Sequence, residues 1–125
     1  LLFTTNSIKI VALTSLVSLT ISHLPVFILK KLYPRKRPYV TLANTNVVKN
    51  PLTDHSFPSG HTTAIFSITI PFVVTYSMLF LLPIPIIVGI SRVYLGLHYP
   101  TDVLAGGVLG TFVGYMSISF VQYLT

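Results

Sequence analysis

The chain has no cysteine, and only two acidic residues, Asp54 and Asp102, among its 125 positions. The first absence removes disulfides, thiolate nucleophiles and sulfur-ligated zinc. The second removes the carboxylate set that a two-metal phosphatase centre would need. No G-x-x-x-x-G-K-[ST] stretch occurs, so a P-loop nucleotide site is excluded. Charge of either sign is scarce: 8% of residues are charged, against about 25% in soluble domains. With 52% hydrophobic residues, that deficit points to a membrane as the solvent. Eight Lys and Arg give a net charge of +6, but no basic helix face or RNA-binding motif accompanies them. Nucleic acid is therefore not an expected partner.

What the chain does have is long apolar runs. A hydrocarbon core about 30 Å thick takes roughly 20 apolar residues as helix. Runs at 7–29, 61–82, 83–98 and 100–124 predict an all-α integral membrane helical bundle of about four transmembrane helices. The third is short and holds Arg92, so it needs cover from its neighbours. Pro25 and Pro71 fall inside predicted spans, where a kink is expected. Residues 1–29 do not read as a cleaved signal peptide, lacking a basic start and a small-residue cleavage site. The expected domain is single, 1–125, and since Leu1 rather than Met opens it, further N-terminal helices are expected before it. One connection is long and polar, the extramembrane stretch 31–60. The others read as a tight Pro83-Ile84-Pro85 hairpin and a bend at Tyr99-Pro100.

Following the runs up and down places the end of run one, the start of run two, the end of run three and the start of run four on one membrane face. Lys30, Arg37, Ser59, His61, His98 and Asp102 share that face, with Arg92 one to two turns below it. Of the eight cations only Lys9 lies toward the other face. Loop solvation accounts for Arg35, Lys36 and Lys49. It does not account for Arg92 or His98, since polar groups at membrane depth are costly and mark function.

Each cluster has its own chemistry. Ser59 is an N-cap candidate, and the Gly60-His61 helix start presents free N–H groups to an anion. Pro100 suits a first helical turn, which puts Asp102 at a helix start, four residues from His98. A hydrogen bond from His98 Nδ1 to Asp102 would leave Nε2 as nucleophile or base. On a continuous helix Ser91 would share the side of His98, and Arg92 would lie roughly 120° away. Lys30 and Arg37 supply a point charge and a planar fork for phosphate oxygens. The sum is a tetrahedral-oxyanion site in which either His61 or His98 could be the nucleophile. His23 reads as a packed helix residue and His55 as a loop residue. Gly106, Gly110 and Gly114 recur every fourth position, a stripe that lets a neighbouring helix approach within the bundle or across a dimer.

Three motifs occur in order: Lys30-x6-Arg37-Pro38, Pro58-Ser59-Gly60-His61, and Ser91-Arg92-x5-His98-x3-Asp102. In these the chain resembles the type 2 phosphatidic acid phosphatase superfamily of membrane lipid phosphatases. The resemblance implies a cofactor-free and metal-free hydrolase acting on a lipid phosphate or diphosphate. His98 would form a phosphohistidine, Asp102 would orient and charge-balance it, and His61 would protonate the leaving oxygen and then activate water. Lys30, Arg37 and Arg92 would hold the phosphate oxygens, with Ser59 and Gly60 completing the cradle. It further implies the lipid phosphate substrate and membrane lipids as partners, and a site on the extracytoplasmic face of the plasma membrane. Family members commonly have about six spans, two more than are counted here. Three narrower or rival readings remain at this stage: an undecaprenyl-diphosphate phosphatase specifically, an oxidoreductase similar to vanadium haloperoxidases, and a non-catalytic membrane binding protein.

Overall fold

The computed structural model describes residues 5–38 and 55–125. Asp54, Lys49 and most of the long connection lie outside the described residues. Four helices form: α1 (Thr5–Leu32), α2 (Gly60–Tyr76), α3 (Pro83–Tyr94) and α4 (Pro100–Leu124). A short 3-10 turn, Leu79–Leu81, joins α2 to α3. No strand occurs among the described residues.

Two helices are long and apolar enough to cross a membrane, α1 from Ile8 to Leu32 and α4 over its whole length. At 1.5 Å per residue, α2 reaches roughly 25 Å and α3 roughly 18 Å. Both stop earlier than the apolar runs suggest, for different local reasons. Ser77 takes a left-handed conformation, with φ 54°, and ends α2 at Tyr76 rather than near residue 82. Pro83 and Pro85 are not a hairpin. They open α3, where a proline at the first position loses no hydrogen bond. α3 ends at Tyr94 because Gly96, φ 73°, turns the chain. His98 therefore lies on a loop, and helical spacing from Ser91 or Arg92 does not describe it. Pro25 and Pro71 stay within continuous helix.

The bundle inverts the usual polarity of a soluble core. Its fully covered side chains include Ser18, Ser22, Thr62, Thr63 and Ser67, while Leu24, Phe27, Ile87, Val108 and Phe112 are exposed. Small residues let the backbones approach, which is how helices associate where lipid competes for large apolar groups. Most of the buried hydroxyls return to their own helix: Thr63 Oγ1 donates to Ser59 O at 2.8 Å, and Ser67 Oγ to Ala64 O at 2.7 Å. Ser15 Oγ instead crosses to Ile68 O at 2.8 Å, pinning α1 to α2. The glycine stripe of α4 packs against α2 within the chain. A Cβ on Gly106 would lie 2.7 Å from Ser59 O, and one on Gly114 would lie 2.9 Å from Ile70 Cβ. A Cβ on Gly110 would collide with the Thr63 carbonyl oxygen. That packing brings the start of α2 against the start of α4, at the end of the bundle where α1 finishes.

Candidate active site

The loop from Leu95 to Tyr99 folds back over the end of α3. The N–H groups of Leu97 and His98 both reach Arg92 O, at 3.2 and 3.3 Å. This turns the His98 side chain into the bundle, where 1% of it is exposed. Its Nδ1 lies 2.8 Å from Ser56 O, and its Nε2 lies 3.2 Å from Arg37 Nη1. A carbonyl only accepts and a guanidinium only donates, so the two contacts define one tautomer. Nδ1 carries the proton, and Nε2 keeps the lone pair. Burial holds the imidazole below the ordinary histidine value of 6.5; Arg37 and Lys30 push the same way, and Asp102 opposes them. At neutral pH the ring is uncharged and Nε2 is nucleophilic.

Asp102 stands in the first turn of α4, as its spacing suggests, but the expected hydrogen bond from His98 Nδ1 is not the short one. Its Oδ2 is 3.7 Å from His98 Nδ1, an ion-pair distance beyond a hydrogen bond. That oxygen accepts the Tyr99 N–H at 2.7 Å, closing a reciprocal cap on α4. Oδ1 accepts from Arg35 Nη1 at 3.1 Å, while the same nitrogen donates to Thr101 Oγ1 at 2.7 Å. Arg35 also lies over the Tyr99 ring, 4.0 Å from its centroid. A residue that reads in the sequence as a solvated loop charge is thus the counter-ion of a fully buried carboxylate. The only sequence signal was its place two residues before Arg37.

Ser59 caps α2: its Oγ accepts the Thr62 N–H at 3.3 Å and donates to Thr62 Oγ1 at 2.8 Å. Its own N–H reaches Asp102 O at 3.0 Å, tying the two helix starts together. The helix supplies no carbonyl for the N–H groups of Gly60 and His61, the first two of α2. Arg37 is 2% exposed and donates to Leu97 O at 2.9 Å and His55 O at 3.4 Å. Lys30 Nζ donates to the same His55 carbonyl at 2.6 Å. Arg92 comes from α3 close enough to Arg37 and His61 for their charges to interact. Its Nε is buried with no hydrogen-bond partner among the described residues.

These groups surround a cavity of about 300 Å³. Lys30, Arg37, Gly60, His61 and His98 line it directly, together with His23 and Val26 of α1. Ser59, Arg92 and Asp102 stand behind that lining. Sequence reasoning placed His23 among packed helix residues, but it is exposed and faces this cavity. A larger groove of about 740 Å³ between α3 and α4 is walled by apolar side chains such as Ile86, Ile90 and Val108. Chemically, the smaller cavity offers clustered cations, free helix-start N–H groups, one neutral imidazole whose Nε2 lone pair is held by Arg37 at the cavity wall, and a second imidazole on the same wall.

Comparison with known proteins agrees with this chemistry. The chain is 33% identical over 108 residues to the putative undecaprenyl-diphosphatase YbjG of Escherichia coli K12, covering 84% of this chain and 54% of that one. It is 29% identical over 111 residues to the undecaprenyl-diphosphatase of Sulfolobus acidocaldarius, covering 86% of this chain and 54% of the relative. It thus spans about half the length of these curated relatives. Among solved structures, a transmembrane PAP2 type phosphatidylglycerolphosphate phosphatase from Bacillus subtilis superposes with TM-score 0.71 at 28% identity, covering 90% of this chain and 60% of that chain. Aquifex aeolicus LpxE superposes with TM-score 0.73 at 26% identity, covering 85% and 66% respectively. The PAP2 superfamily profile matches residues 11–125, and with the three motifs gathered around one cavity, the chain belongs to the PAP2 superfamily.

Proposed function

We propose that this chain is a membrane lipid phosphatase that removes a terminal phosphate from a lipid phosphate or diphosphate through a phosphohistidine. One observation carries the reading: the hydrogen bonds to Ser56 O and Arg37 leave the His98 lone pair on Nε2, at the wall of a cation-lined cavity. As phosphate enters, Arg37 transfers a donor from Nε2 to a phosphoryl oxygen, which frees the lone pair. Lys30 and the Gly60 and His61 N–H groups hold the remaining oxygens, whose charge grows in the transition state, and Arg92 adds its positive charge from behind the lining. Nε2 attacks phosphorus, the bond to the leaving oxygen breaks, and that oxygen takes a proton from His61. Water then attacks the phosphohistidine, giving its proton to His61 and releasing phosphate and His98. Asp102 stabilises the imidazole as it becomes positive, and Ser59 holds the start of α2 in place.

The donor set supports a reaction without metal, since Asp102 is engaged by Arg35 and Tyr99 and the sequence has only one other acid. The relatives named for undecaprenyl diphosphate support a polyprenyl substrate. The exposed apolar helix faces support a site at the surface of the plasma membrane, and we place it on the extracytoplasmic side. Phosphate release from lipid phosphates in detergent, with chelator present, tests the reaction. His98→Ala should fall to background while the wild type stays active. Full activity of that variant would overturn the nucleophile assignment, and a requirement for added divalent metal would overturn the metal-free route. Because the chain lacks cysteine, Lys36→Cys gives a single exposed label site. Labelling from the cytoplasmic side alone would overturn the proposed orientation.

A further inference from the structure

α1 contributes more to the cavity than the motif lysine. His23, Val26 and Lys30 stand at i, i+3 and i+7, on one helix face, and all three line the cavity. Neighbouring Leu24 and Phe27 are exposed apolar residues, and the adjacent Ser22 is buried with its hydroxyl donated to Leu19 O, so between residues 21 and 29 His23 is the exposed polar side chain. A histidine on a membrane helix is costly unless it faces a polar cavity or a partner. Its orientation is fixed: Nδ1 lies 2.8 Å from Leu19 O, which makes Nδ1 the donor and leaves Nε2 for the cavity.

Its depth is fixed as well. α1 and α2 run antiparallel, with Gly60 level with Val26: a Cβ on Gly60 would sit 3.7 Å from Val26 Cγ1. His23 is three residues further from the mouth, roughly 4.5 Å along the axis. That offset is on the scale of the bridge between neighbouring phosphates in a diphosphate. The transferred phosphoryl sits at the start of α2 by His98 and Arg37, and His61 serves the leaving oxygen. The next group along the substrate, toward the lipid tail, then meets His23.

We propose that His23 is a specificity-determining residue that hydrogen-bonds the second phosphate of a lipid diphosphate, the one that leaves with the lipid. This rests on the phosphatase reading above. His98 Nε2 bonds to the terminal phosphorus, the bridging P–O bond breaks, and the bridging oxygen departs on the prenyl phosphate with the proton from His61. Through Nε2, His23 contacts a non-bridging oxygen of that departing phosphate. It accepts from a protonated oxygen when neutral and donates to an anionic one when charged. A lipid monophosphate presents only an alcohol oxygen and its tail at this depth and gains nothing from the contact.

The test compares two substrates with one tail, farnesyl diphosphate and farnesyl monophosphate, in detergent. His23→Ala should lower kcat/KM for the diphosphate about 10- to 100-fold, the effect of losing a hydrogen bond to a charged group, and change the monophosphate less than about threefold. His23→Gln, which keeps a polar group near the Nε2 position, should recover most of the loss. Equal losses on both substrates, or none on either, would overturn the inference and leave the phosphatase reading standing. Wild-type protein that releases phosphate only from the monophosphate would overturn it too. No release from either substrate by wild type would sink the phosphatase reading, and this inference with it.

Discussion

Replacing Gly106 with alanine should damage the site without touching a catalytic side chain. The added Cβ would lie 2.7 Å from Ser59 O, 3.1 Å from Thr63 Oγ1 and 3.2 Å from Thr62 Cβ. Ordinary contact begins near 3.4 Å, so α2 and α4 must part by about 0.7 Å at that level, because a backbone carbonyl cannot swing aside. Overpacking of this kind costs about 1–3 kcal/mol, partly offset by the about 1 kcal/mol that alanine gains over glycine in a helix. Ser59 N–H holds Asp102 O, so the separation opens the junction that sets Gly60 and His61 against His98. Misplacement near 1 Å can cost about 100-fold in rate, which predicts a fall in kcat of about tenfold or more for a smaller shift. Gly107→Ala is the control one residue away. Its Cβ would meet only the edge of the Phe66 ring at 3.4 Å, so stability should hold or rise by up to about 1 kcal/mol. Phosphate release and the circular-dichroism melting midpoint in detergent read both quantities. If the two variants behave alike, the close crossing of α4 on α2 does not set the geometry of the site.

The pH profile should have its acid limb below the ordinary histidine value of 6.5. His98 must be neutral to attack, burial keeps it neutral to lower pH, and activity falls only as pH drops through that depressed value. Arg35→Gln should move this limb upward, measured as kcat/KM against pH. An Asp102 carboxylate released from Arg35 stabilises the His98 imidazolium more strongly, whereas KM should change little because Arg35 does not line the cavity. Arg35→Lys should restore charge but not the stacking on Tyr99, leaving an intermediate limb. Asp102→Asn replaces a carboxylate that accepts from both Arg35 and Tyr99. It should lower kcat about 10- to 1000-fold and shorten protection of the first turn of α4 in hydrogen exchange.

The side chains that carry charge were legible because their spacing is set by chemistry and their face by the up-and-down path of apolar runs. Lys30, Arg37, His61 and His98 reach one cavity as that path requires. The helix limits were less legible, since hydropathy continues through Ser77 and Gly96 while the backbone turns there. Hydropathy reports the solvent of a segment and says little about φ. The partner of His98 Nδ1 was hidden for another reason. Sequence spacing offered Asp102, but the closer acceptor is a main-chain carbonyl, which every residue type has. Arg35 was misread because its partners, Thr101 and Asp102, come from a distant part of the chain, and His23 because the cavity it lines is closed by other helices. A charge beside a loop and a histidine within a helix look bland until the fold brings Asp102 to the one and sets the other on the wall that His61 shares.

The Ser56 position has a bearing on how this chain would look in a substitution survey. Its carbonyl orients the His98 imidazole, and its N–H donates to Arg35 O at 2.9 Å, so both duties belong to the main chain. Exchange of the small buried side chain for alanine leaves both intact, and such a survey would score the position as tolerant. An ester linkage in place of the amide after Ser56, or a proline at the position itself, would expose what side-chain scanning cannot see. The carbonyl that aims the imidazole is supplied by every residue type, and only proline would remove the N–H that accompanies it.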